Sequence, residues 1–171
     1  MYPKSWTSEH SHYFESYFTH VLLKDLMQAL LLSDEPRRMT VLHAEVDSEG
    51  YDLVLACGPT LRYVQFKARG GSITAFKYSI KASMTQLPGA CVLWLLYDPG
   101  SLERTCYYLL AGEPGEILGD LLPTSVAHRN KGGQKVDRSG YVNAQMRDAN
   151  HVRLSPSALA EALFGSHQKG Q

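Results

Sequence analysis

The chain has 171 residues, 44% of them hydrophobic and 20% charged, with a formal net charge of +0. That is enough chain to bury a core, and too apolar for a disordered polypeptide. The charge balance excludes a protein that coats nucleic acid with its whole surface, but leaves room for a local basic patch.

The first element reads as a helix. Thr7 or Ser8 is placed to cap it, and Glu9 suits the positive end of its dipole. Phe14, Phe18, Val21, Leu22, Ala29 and Leu30 recur at helical spacing to about Leu32. Ser33, Asp34, Glu35 and Pro36 then stop it. His10 and His12 read as solvated helix-start residues and not as a metal pair. From Met39 to Val46 the period changes to that of a strand. Asp47 to Gly50 form a turn, Tyr51 to Ala56 a second strand, Cys57 to Thr60 another turn, and Leu61 to Ala68 a third strand. Residues 74–86 are ambiguous, and their later part favours a helix. Ala90 to Tyr97 is a buried strand, with Trp94 as core, and Arg104 to Ala111 pairs with it antiparallel. Glu116 to Leu122 suits a short helix. Residues 128–153 suit a long loop or short strands. Ser155, Pro156 and Gly165 frame a last helix, Pro156 to Phe164. The result is an α/β class with a single mixed β-sheet and flanking helices.

No apolar run approaches the roughly 20 residues of a membrane-spanning helix, and the N-terminus lacks a secretory pattern. The three cysteines, Cys57, Cys91 and Cys106, have no Cys-x-x-Cys spacing. An odd number of thiols without a secretion signal points to a reduced, cytoplasmic setting and away from a structural zinc.

Chemistry concentrates in the meander. With residues 57–60 as a turn, Ala56 faces Leu61, Val54 faces Tyr63 and Asp52 faces Gln65. With residues 47–50 as a turn, Glu45 faces Asp52. Glu45, Asp52 and Gln65 then form one row, with neighbouring Cβ atoms about 4.5 to 5.5 Å apart. Lys67, two residues on, returns to the same face. Two carboxylates and an amide oxygen are hard ligands for Mg²⁺ or Mn²⁺. A nearby lysine orients a water or stabilises charge on a phosphate, and a metal-bound water attacking phosphorus in line is the matching reaction class. Arg69, Gly70 and Gly71 follow, where a plain strand-ending turn competes with phosphate contact by backbone amides. A second cationic region, residues 128–153, contains Arg129, Lys131, Lys135, Arg138, Arg147 and Arg153 against Asp137 and Asp148. It suits a nucleic-acid backbone, with Tyr141 for stacking, or equally a solvated loop.

The segments Glu45-Val-Asp-Ser-Glu-Gly-Tyr-Asp52-Leu-Val-Leu and Tyr63-Val-Gln65-Phe-Lys67-Ala resemble the PD-(D/E)xK nuclease superfamily, in its Mrr-like and Holliday-junction-resolvase-like branches. There an Asp on one strand precedes a Glu- or Gln-x-Lys on the next. The resemblance implies a restriction endonuclease-like core (helix, three-strand meander, helix, strand) over about residues 10–112. The basic segment and last helix follow within 113–165 of a single domain, 1–171. It also implies a Mg²⁺- or Mn²⁺-dependent endonuclease acting on nucleic acid, DNA first, as a homodimer. Asp52, Gln65 and either Glu45 or Glu15 would hold the metal (Glu9 stands behind Glu15), and Lys67 would serve as base or charge stabiliser. Lys81 and Gln86 lie where related enzymes add a polar residue. Gln65 in place of the commoner Glu keeps an alternative open, a nuclease-fold module that binds nucleic acid or protein without catalysis. An immunity-type interaction protein is a third reading.

Overall fold

A computed structural model of the protein describes residues 10–43, 49–71, 77–122, 127–129, 135–137 and 140–165. Helix α1 spans Ser11–Leu31, with His10 at its N-cap position. It thus starts later than a Thr7 or Ser8 cap requires; those residues and Glu9 lie outside the described part. Phe18, Leu22, Leu26 and Leu30, four residues apart, are all buried. That spacing keeps them on one helix face, and each buried side chain contributes about 1.5 to 3 kcal/mol. Phe18 stacks on Tyr97 with ring centroids 4.0 Å apart, which docks the helix on the sheet.

Strands β1 (Met39–His43), β2 (Leu53–Cys57) and β3 (Thr60–Gly70) form the meander. Strands β4 (Lys77–Lys81), β5 (Ala90–Tyr97) and β6 (Arg104–Ala111) follow, then β7 (Ala127–Arg129), β8 (Lys135–Asp137), β9 (Tyr141–Gln145), β10 (His151–Leu154) and helix α2 (Pro156–Phe164). The main sheet has six strands in the order β1-β2-β3-β5-β6-β10. It is mixed: β3 and β5 run parallel and the other neighbours antiparallel. The described residues also form two small sheets, β4-β9 and β7-β8, where a single sheet was expected.

Strand β5 is buried on both faces, as its unbroken apolar run requires. Cys91, Leu93 and Leu95 join Leu53, Leu55, Val64 and Phe66 beneath the two helices. Val92, Trp94 and Leu96 face the other way, against Ile80, Met84 and Ala144. The chain enters β5 through Gly89, at φ +80°, where a Cβ would lie 2.3 Å from the carbonyl oxygen of Leu61. Only glycine fits so close an approach.

Two buried charged groups tie the helices down. Arg62, fully buried, donates from Nε to the Leu163 carbonyl (2.7 Å) and from Nη1 to the Gly112 carbonyl (3.0 Å). Its cation thus meets the negative end of α2. Asp25 on α1 accepts hydrogen bonds from Arg104 Nε (2.5 Å) and the Tyr107 hydroxyl (3.0 Å) of β6.

Several expectations need correction. Residues 77–86 hold strand β4 and a single 3₁₀ turn, Met84–Gln86, in place of a helix. The described connection from β3 to β5 therefore lacks the crossover helix of the restriction endonuclease-like order. Strand β4 pairs with β9, more than fifty residues later, and a local pattern carries no sign of that partner. Residues 116–122 contain only a 3₁₀ turn, Gly119–Leu121. The β2-β3 register matches expectation, with Ala56 opposite Leu61 and Val54 opposite Tyr63. The β1-β2 register is shifted by one residue, pairing Leu42 with Val54 and His43 with Leu53. Glu45 itself lies outside the described residues.

Candidate active site

Asp52 sits where β2 begins to separate from β3. Its Oδ2 accepts the backbone N–H of Phe66 at 2.7 Å and the Gln65 side-chain Nε2 at 2.6 Å. Lys67 Nζ lies 3.8 Å from the same oxygen and 3.9 Å from Glu15 Oε1 on α1. Among the described residues, the hydrogen bonds that Asp52 accepts all end on Oδ2. Oδ1 is left for another partner. Sheet and helix thus bring Asp52, Gln65, Lys67 and Glu15 together, two carboxylates sharing one ammonium.

The electrostatics are those of a partly desolvated carboxylate. Burial raises the Asp52 pKa above 3.8, and nearby Glu15 pushes the same way. Lys67 and the Phe66 and Gln65 hydrogen bonds pull it down without cancelling the burial. Gln65 is itself buried. Its amide was expected as an oxygen ligand, but a carboxylate can only accept, so the nitrogen turns toward Asp52. Gln65 here orients Asp52.

A cleft of about 220 Å³ opens beside the pair, lined by Glu15, Thr19, His43, Tyr51, Asp52, Leu53 and Phe66. His43 and Thr19 escaped the sequence reading. The signal for His43 was the β1-β2 register, which sets it opposite Leu53, next to Asp52. Gln86 lies elsewhere, lining another cavity with Ala82, Gly119 and Leu122. Lys81 belongs to β4, and Arg69 continues β3 two residues beyond Lys67. Arg129 and Lys135 are paired residues of the β7-β8 sheet. Lys131 and Arg138 fall outside the described residues.

The donor set fits a hard divalent cation. Mg²⁺ needs only one or two carboxylates because it keeps several of its waters. Asp52 Oδ1 and Glu15 are the carboxylate donors available for it. Among the described residues no group of three or more His, Cys, Asp or Glu side chains gathers at one point.

Among the described residues this is an α/β protein with a six-stranded mixed sheet, two helices on one face and a carboxylate-lysine cluster at the β2-β3 opening. No described helix is long and apolar enough to cross a membrane. Compared with models of known families, with curated proteins and with solved structures, the chain gives no match.

Proposed function

We propose that the protein is a metal-dependent nuclease that hydrolyses phosphodiester bonds, with DNA as the first substrate to test. The observation that carries this reading is the convergence of Asp52 just before β2, Glu15 of α1 and Lys67 of β3, with Asp52 and Glu15 lining one cleft. Asp52 and Glu15 would hold Mg²⁺ or Mn²⁺, which when bound polarises the phosphate and activates water. The chain's own residues set the geometry. Gln65 and the Phe66 amide fix the Asp52 carboxylate, leaving Oδ1 directed by two hydrogen bonds to Oδ2. Lys67 neutralises the carboxylate pair and offers a cation to the extra negative charge on a phosphate under attack.

The test is cleavage of supercoiled plasmid and single-stranded DNA with Mg²⁺ or Mn²⁺, wild type against Lys67→Ala. Metal-dependent nicking that falls at least about 100-fold in the variant is expected, the size of one lost charge-stabilising donor. Full activity in Lys67→Ala refutes the site. A second reading, a nuclease-fold module that binds without cutting, draws on Gln65 and Lys67 both being turned onto Asp52. It takes over when DNA is retained without metal and no divalent ion produces cleavage.

A further inference from the structure

We propose that the groove between α1 and α2 binds a zwitterionic ligand, an amino acid or the C-terminal end of a short peptide, by its carboxylate and a cationic group. The groove holds about 950 Å³ and shares no lining residue with the Asp52 cleft. Ligand sites typically measure about 300 to 1,000 Å³, so the space suits either source.

The carboxylate end is set by Arg104. Its Nε donates to Asp25 Oδ2 at 2.5 Å, and its guanidinium carbon lies 5.4 Å from the centre of the Tyr107 ring. Asp25 and Tyr107 are both buried, and the Tyr107 hydroxyl donates to the same Oδ2. These contacts fix the guanidinium from the core side. Among the described residues, its Nη1 and Nη2 make no hydrogen bond. A guanidinium held at Nε keeps its terminal nitrogens as a fork that matches the two oxygens of a carboxylate. The Arg104 side chain stays 25% exposed and lines the groove.

Charge distribution sets the rest of the ligand. Lys24 Nζ stands 3.1 Å from the other Asp25 oxygen, so Lys24, Asp25 and Arg104 leave a net positive charge at this end. The remaining charged residues described in the groove are Arg37 against Asp34, Glu35 and Glu161. Arg37 Nη1 is turned onto the Gly165 carbonyl at 3.0 Å. Asp34 and Glu161 are exposed and, among the described residues, form no ion pair. A phosphate or other dianion would meet these carboxylates as like charges. A ligand that carries an ammonium or guanidinium group besides its carboxylate complements both sets. The assignment does not depend on the nuclease reading.

The experiment is isothermal titration calorimetry of the full chain with glycyl-lysyl-alanine, its C-terminal amide, L-lysine and inorganic phosphate. Expected is saturable binding of the free acid, weakened at least about 10-fold by amidation, the size of one lost hydrogen bond between charged groups. Arg104→Lys keeps a cation for Asp25 but removes the fork, and should weaken the acid by the same factor while leaving the amide unchanged. Asp34→Asn/Glu161→Gln alters only exposed side chains, and should weaken the acid at least about 10-fold in a folded protein. L-lysine binding as tightly as the tripeptide supports the proposal with a free amino acid as the source, and tighter tripeptide binding supports it with a peptide end. No saturable binding of either, equal binding of acid and amide, or phosphate that binds more tightly than both overturns it. So does a loss of tripeptide binding in Lys67→Ala, which would move the ligand to the Asp52 cleft.

Discussion

Asp52 carries a partly desolvated carboxylate whose cation, Lys67, is 3.8 Å away and shared with Glu15. Burial is the largest influence on it and raises its pKa above 3.8, so the folded protein binds this proton more readily than the unfolded chain. Its favourable contribution to folding is therefore complete below pH 3.8 and lost as pH rises through the raised value. At neutral pH the ionised group opposes folding. Asp52→Asn should accordingly melt higher than wild type at pH 7, and the gap should shrink as pH falls through the raised value and level off below 3.8, as thermal denaturation across pH would show. On the proposed function, the same substitution should abolish metal-dependent cleavage. A site that loses function while gaining stability is what a functional carboxylate predicts. A merely structural Asp52 would lose stability at both pH values.

Helix α2 depends on one residue of a distant strand. Its start is local: Ser155 caps the Ala158 amide at 3.2 Å and Pro156 follows. Its end is not, because the Arg62 guanidinium on β3 donates to the carbonyls of Ala162 and Leu163. The same group holds the Gly112 carbonyl, so one side chain joins β3, the end of β6 and α2. Cys91 lies in this core, and burial pushes its thiol up to about 12, with Arg62 the charge that opposes the shift. Arg62→Ala strands several buried carbonyls and leaves a cavity, for about 3 to 5 kcal/mol. Urea denaturation measures that loss, while a cost under about 1 kcal/mol would mean the carbonyls find water. Nothing in the sequence pattern marks Arg62, since a charged residue in an apolar strand reads as solvent-facing. The same holds for Asp25 on α1. The β2-β3 hairpin lies at the other extreme. Gly58 and Pro59 define a tight turn, and a tight turn dictates the register of the strands it joins.

Across the whole molecule, a formal charge of +0 means that any affinity for nucleic acid comes from local cations. Residues 128–153 remain the densest basic stretch, and the β7-β8 pair sets Arg129 opposite Lys135. On the proposed function, duplex affinity should fall linearly with salt on logarithmic axes, by about 0.9 per phosphate contacted. Lys135→Ala should lower that slope by about 1 without changing sequence preference. Filter binding over a salt series checks this, and an unchanged slope removes the segment from the interface. The two-sided core has a counterpart at this scale. Helices cover one face of the sheet, while the β4-β9 pair with its neighbouring loops covers the other.

By itself the sequence determined the helix from the first buried aromatic residues onward, the strands β5 and β6, the last helix with its cap, and the β2-β3 pairing that joins Asp52 to Gln65 and Lys67. All of these follow from interactions within one turn, one hairpin or one periodic run, where side-chain alternation and capping chemistry are short-ranged. Only the tertiary structure decided that Glu15 would meet Lys67, that His43 would line the cleft, that β4 would pair with β9, and that Arg62 and Asp25 would be buried with their partners. These depend on how distant segments close upon one another. Such closure is set by the sum of burial over the whole chain against its lost entropy, and no local spacing of residues encodes that sum.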